Sequence, residues 1–475
     1  MIKEALSMKY ADNKVSELKI AYIGGGSRGW AWGLMSDLAS CDDISGDVYL
    51  YDIDLDAAKN NEIIGNKFKT AEGAKSIWNY KAVETIDEAL TGADFVVLSI
   101  LPGTFDEMES DVHTPEKYNI WQSVGDTAGP GGILRAMRTI PMYEYIGEKI
   151  KENCPQAWVI NYTNPMTLCV KALYRVFPEI KAFGCCHEVF GTQKFLAKIV
   201  QETFGVENID RHEIKVNPVA VNHFTWLTSA TWHEHDLFPY YKEYCRKNSD
   251  GHKSGDKAVD DNWMNNSFTS TEKVKMDLFN RFGYIAAAGD RHLAEFCEGK
   301  WYLESPERVK EMHFGLTTVA WRKEDLKKRL ERSARLVSGE EEVKINGTGE
   351  EGVNQIRALL GLCELITNVN IPNQGQIPNL PLGAVVETNA IFRSNSLTPV
   401  FAGPIPKEIY PLVARVCAEQ EVVSEGIAER DLNKLFNAFA NDPLVTCSMA
   451  DAKALFKEMC ENTKAYLGMY DLSGI

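Results

Sequence analysis

No stretch of the 475-residue chain comes near the roughly 18 consecutive apolar residues that a membrane-spanning helix requires, so the sequence predicts no membrane segment. Positive charge is also in short supply. Against 67 Asp and Glu stand 51 Lys and Arg, which leaves a net charge of −16 and a pI of about 5.2. Such a surface repels phosphate backbones and anionic lipid, and this sets nucleic acid and membrane partners aside in favour of a small molecule. Cysteine is present without order. Eleven residues are scattered singly except for Cys185-Cys186, with no repeated spacing, as suits free thiols in a reducing compartment rather than a disulfide framework. The segment MIKEALSMKYADNKVSEL lacks the apolar region of a signal peptide, so a cytoplasmic location is expected. Repeats, coiled-coil heptads and low-complexity tracts are missing too.

What is there belongs to a globular protein: 44% hydrophobic and 25% charged residues, with length enough for two coupled domains. Residues 18–23 (LKIAYI) form an apolar run too short for a helix, which enters a glycine turn and then a helical pattern over 30–38. A second strand over 48–51 ends in Asp52, and a helix candidate follows over 55–67. Strands over 95–100 and 158–161 continue the alternation, which predicts a mostly parallel sheet covered on both faces. Beyond residue 216 the texture changes. An alternating strand is expected over 229–235, a polar excursion over 248–266, and long helices over 307–336 and 409–432, with a proline- and glycine-marked stretch over 371–406 between them. The fold class is therefore α/β: a Rossmann-like domain over 18–200, joined to an α+β domain over 201–475 that completes the site.

Gly24-x-Gly26-x-x-Gly29 lies between a strand and a helix, the context in which glycines permit a tight turn and backbone approach to a pyrophosphate at a helix N-terminus. Asp52 can accept from a ribose hydroxyl and would repel a 2′-phosphate, which favours NAD over NADP. GDTAGPGGILRAMRTIP, residues 125–141, carries Asp126, Arg135 and Arg138, and reads equally as a backbone cradle or a rigid crossover. Asn164, in NYTNP, follows a strand end where an amide can hold a sugar hydroxyl or cap a turn. Cys186 and His223 each follow an apolar run. A thiolate and an imidazole suit a borderline divalent metal, though two ligands do not specify which, and a buried cysteine with a core histidine is the ordinary alternative. The stretch FGYIAAAGDRHLAEF, with Tyr284, Arg291, His292 and Glu295, reads on its own as a salt-bridged helix start.

In this order, IAYIGGGSRGW, LYDID, ADFVVLSILPG, SVGDTAGPGGILRAMRTIP, INYTNP, GCCHEVFG, VNHFTWL, FGYIAAAGDRHLAEF and GAVVETNAIF resemble glycoside hydrolase family 4, the NAD- and divalent-metal-dependent glycosidases. The likeness spans nearly the whole chain. GDTAGPGG, NYTNP and CCHEVFG are closer to the α-galactosidase, α-glucosidase and α-galacturonidase branch than to the 6-phosphoglycosidases. SVGDTAGPGG and GDRHLAEF are most similar to α-galacturonidases.

The resemblance implies a redox glycosidase, outside the usual two-carboxylate scheme. Bound NAD⁺ takes hydride from sugar C3, a base removes the acidified C2 proton, the C1 substituent leaves, water adds, and the hydride returns. The resemblance places NAD on Gly24, Gly26, Gly29 and Asp52, and the metal, expected to be Mn²⁺, on Cys186 and His223. Tyr284 would be the C2 base. Asn164, Arg291 and His292 would bind substrate, Arg291 by gripping a uronate carboxylate unless it pairs with Glu295 four positions on. Where some phosphosugar members carry an aspartate as leaving-group acid this chain has His187, and Asp126 competes for the role. The implied substrate is an α-linked, non-phosphorylated hexoside, a uronide first and a galactoside or glucoside next, cleaved by a homo-oligomer, a dimer or a tetramer. The other readings are an NAD-dependent sugar dehydrogenase and an NAD-sensing protein without catalysis.

Overall fold

The structure, a computed structural model, describes residues 8–252 and 270–474. Of the polar excursion expected over 248–266, residues 253–266 lie outside the described residues, as do residues 1–7 of the amphipathic start. In chain order the strands are β1 Lys9–Ala11, β2 Lys14–Ile23, β3 Ile44–Tyr51, β4 Trp78–Val83, β5 Phe95–Leu98, β6 Trp158–Asn161 and β7 Lys181–Gly184. There follow β8 Ile214–Val219, β9 Trp226–Trp232, β10 His235–Asp236, β11 Ile285–Ala286, β12 Leu365–Pro372, β13 Val385–Arg393 and β14 Ser396–Pro399.

Six strands run parallel in the order β4-β3-β2-β5-β6-β7, the arrangement of a doubly wound dinucleotide-binding sheet. The chain reverses its winding between β2 and β5, and the crevice at this switch point opens beside the glycine turn. Continuous apolar runs mark the centre: all four residues of β5 are buried, because helices cover both faces. Towards the other edge β12, β13 and β14 add antiparallel strands to the same sheet, with Asn370 opposite Gly184, so the sheet draws on both halves of the chain. A separate four-stranded sheet orders β10-β9-β11 with β8 against β9.

Two expectations change, and one strand is added. The stretch over 371–406 contains paired strands, whose prolines fall at strand ends (Pro372, Pro399) where no ladder bond is lost. Strand β4 had no apolar run to announce it, since it alternates buried and exposed residues. The helix expected over 307–336 is two helices, Pro306–Glu311 and Val319–Ser338; between them His313 turns through the left-handed region (φ 56°) and Phe314 and Leu316 go into the core. No helix among the described residues is long and apolar enough to cross a membrane.

Candidate active site

The glycine turn is built by close contact. Gly24 has φ 92°, a value that side chains disfavour, and a Cβ there would collide with the Ser99 carbonyl. A Cβ on Gly26 would sit 2.6 Å from the Cβ of Ala57, so the turn lies directly on the next helix. Asp52, at the end of β3, braces it: Oδ2 accepts from Gly26 N at 2.8 Å and Oδ1 from Asp54 N at 3.0 Å. The helix Trp30–Ser40 then starts on Gly29 with no side chain capping its N-terminus, which leaves amide donors for an anion. Arg329 lies over this turn and donates through Nη1 to the Arg28 carbonyl at 2.9 Å.

At the same end of the sheet, ligand atoms of Asp126, His223 and His292 all lie within 4.8 Å of one another. Three separate elements supply them. Asp126 stands in the loop before the helix Gly129–Asn153, His223 between β8 and β9, and His292 in the short helix Asp290–Glu295. His223 takes φ 63°, unusual for a non-glycine residue. The imidazole rings overlap, with centroids 3.9 Å apart. Burial depresses both histidines, His223 to about 3, so each is the neutral imidazole that ligates metals. The Asp126 carboxyl is lowered too, and for an acid that favours the charged form. Burial alone would raise it, but the Arg135 guanidinium, helped by the hydrogen bond from Thr127, holds it well below the usual carboxylate range. Nδ1 of His292 is buried without a hydrogen-bond partner. An anionic oxygen and two neutral imidazoles, one with an unpartnered ring nitrogen, fit a divalent cation of the Mn²⁺ or Zn²⁺ type.

The Asp126 loop is locked to the helix carrying His292. Oε1 of Glu295 accepts from Val124 N at 2.7 Å and Gly125 N at 2.9 Å, while Ser123 Oγ donates to the Arg291 carbonyl at 2.5 Å. Arg291 donates through Nη2 to Ser123 O at 2.7 Å and through Nε to Gly315 O at 3.2 Å.

With this geometry in hand, two family models cover most of the chain: family 4 glycosyl hydrolase over residues 19–202, and family 4 glycosyl hydrolase C-terminal domain over residues 219–445. The chain belongs to glycosyl hydrolase family 4. An alpha-galacturonidase of Thermoanaerobacterium saccharolyticum is 62% identical over 460 residues, 97% of this chain and 98% of that protein. The crystal structure of Bacillus subtilis lplD, at 48% identity, superposes with a TM-score of 0.87 over 94% of this chain and all of its own. A 6-phospho-alpha-glucosidase from gut microorganisms, solved with NAD and Mn²⁺, shares the fold at 17% identity, with a TM-score of 0.78 over 95% of this chain and 99% of its own.

For a family 4 chain, the anticipated residues fall as follows. Asn164 reaches the Asp126, His223, His292 group, its Nδ2 standing 3.5 Å from Asp126 Oδ2 and its Oδ1 buried and unpartnered. Cys186 is buried and packs with Met166, Val170 and Val385. Its thiol lies against Asn222, next to His223, but outside the three residues whose ligand atoms converge. His187 is half exposed; a hydrogen bond with Glu350, 3.1 Å from Nδ1, raises its pKa. Tyr284 enters β11 half buried, and its hydroxyl bonds to no described residue. Arg138, from the same glycine-rich segment as Asp126, turns away from that group. It forms a buried double hydrogen bond with Asp111 at 3.0 and 2.5 Å. Missed by the sequence reading are Thr127, Glu188, whose Oε2 accepts from Gly289 N at 2.6 Å, and the brace made by Glu295. Glu188 could have been found from its place beside His187 at a strand end; nothing local announced Thr127.

Proposed function

We propose that the chain hydrolyses α-linked galacturonides with NAD⁺ and Mn²⁺, and with no net redox change. The observation that carries the reading is a shared location: the glycine turn with Asp52 and the Asp126, His223, His292 group stand at one end of one doubly wound sheet. The similar alpha-galacturonidase and the NAD and Mn²⁺ bound by the 6-phospho-alpha-glucosidase support the substrate and the cofactors. When bound, NAD⁺ and the cation supply a hydride acceptor and a Lewis acid.

The chain's own residues do the rest. Asp126, His223 and His292 hold the cation, with Cys186 at its border, and Gly24, Gly26, Gly29 and Asp52 hold the dinucleotide. Asn164 orients sugar hydroxyls beside Asp126. Tyr284 removes the C2 proton. His187 gives a proton to the departing oxygen: the hydrogen bond with Glu350 raises its pKa and so favours the protonated imidazole, whereas Asp126, held as a carboxylate, lacks a proton to give.

Residues 18–200 act as the NAD-binding unit, and 201–475 complete the site. A homo-oligomer is supported by apolar side chains left in water, among them Leu382 and Phe401. A cytoplasmic location is supported by eleven cysteines that are all free.

The test is the purified protein with an α-galacturonide, NAD⁺ and Mn²⁺. The aglycone is released without accumulating NADH. NADH formed in step with substrate consumption would make the protein a dehydrogenase and overturn the reading.

A further inference from the structure

A uronate substrate needs a cation for its carboxylate, and the cations nearest Asp126 are mostly spoken for. Arg138 is committed to Asp111. Arg135 donates to the Asn164 carbonyl at 3.2 Å and is the principal countercharge of Asp126. Arg291 gives its donors to Gly315 O, Ser123 O and Thr317 Oγ1, the carbonyls and hydroxyl that hold the loops together.

Arg322 differs. It lies in the first turn of the helix Val319–Ser338, and that turn is pinned to the Asp126 loop. Thr317 N donates to Ser123 O at 3.2 Å, and Val319 N to His113 Nε2 at 3.1 Å. Nε of Arg322 is shielded from water with no hydrogen-bond partner; that of Arg138 is too, but Arg138 spends both Nη groups on Asp111. A guanidinium nitrogen kept dry and unpaired is unfavourable unless a ligand completes it. Its closeness to the site shows in its neighbours: after burial, the charge of Arg322 is the largest influence depressing the Arg291 guanidinium, to about 10. Arg322 in turn feels Asp126 and then Arg135.

We propose that Arg322 is the specificity residue that receives the carboxylate of the sugar, through two parallel N–H···O bonds. The proposal rests on the galacturonidase reading above. It leaves Arg291 the task of fixing the loop between Ser123 and Thr317.

The experiment measures kcat/KM of the wild type, Arg322→Gln and Arg322→Lys on an α-galacturonide and an α-galactoside with one aglycone, together with NAD⁺ affinity. Loss of a charged hydrogen-bond pair lowers the galacturonide-to-galactoside ratio about 10- to 150-fold in the Gln variant. Lys, which keeps the charge without the fork, recovers part of the ratio, and the change falls mainly in KM. Should the Gln variant fail to fold, the ratio in the Lys variant decides. An unchanged ratio, or equal loss on both sugars with a matching loss of NAD⁺ affinity, overturns the proposal. A wild type that cleaves the galactoside but not the galacturonide overturns the functional reading instead.

Discussion

The Thr127 hydroxyl donates to Asp126 Oδ1 at 2.7 Å and, its one proton so engaged, accepts from Nδ1–H of His223 at 3.1 Å. One hydroxyl therefore fixes two of the three converging residues. It sets the tautomer of His223 and leaves Nε2 as the atom with a lone pair for a cation.

Thr127→Val removes that bridge while nearly keeping its volume. Mn²⁺ affinity, measured by calorimetric titration, should fall by about 10- to 100-fold, the usual cost of losing such a support, with the fold retained. Unchanged affinity would show that the hydroxyl does not orient the ligands.

The buried pair of Arg138 and Asp111 predicts a stability effect remote from chemistry. Their side chains are 1% and 0% exposed, so Asp111→Ala strands a guanidinium in the core. Denaturant unfolding should show a loss of about 3–5 kcal/mol. A loss below about 1 kcal/mol, the range of a surface pair, would contradict this.

Glu295 gives stability a pH dependence. Burial, reinforced by the Asp126 charge, pushes its carboxyl from 4.5 up to about 8 against the bonds from Val124 N and Gly125 N. The folded protein keeps a proton that the unfolded chain releases above 4.5, so this contribution is complete below 4.5 and is lost as pH rises through about 8. Glu295→Gln retains an oxygen for both amides and carries no charge. Its Tm should vary less with pH across that window than the wild type's, and an equal or steeper slope would refute the assignment.

Legibility followed locality. LKIAYI, the glycine turn and FVVL could be read because each is a short continuous segment whose apolar run or spacing is set by its immediate surroundings. The antiparallel extension could not, because prolines at the ends of β12 and β14 read as breakers when the pairing partner is unseen. In the site, NYTNP and GDTAG drew notice through composition, and Asn164 and Asp126 do stand side by side. The meeting of His223 with His292, 69 positions apart, depends on how β8, β9 and the helix Asp290–Glu295 pack, and no spacing rule carries that. Arg291 and Glu295, at helical spacing, looked like partners for each other. The fold turns both instead onto the loop over 123–125.

The most direct test of the account follows an α-galacturonide labelled with deuterium at C2, cleaved in ordinary water with NAD⁺ and Mn²⁺. If cleavage runs through C2 deprotonation, the released galacturonate carries hydrogen from solvent at C2. Tyr284→Phe should slow label loss and cleavage together by a factor of about 10²–10⁴. Galacturonate that keeps its deuterium, released as fast by Tyr284→Phe as by the wild type, would mean direct displacement at C1 and would contradict the account.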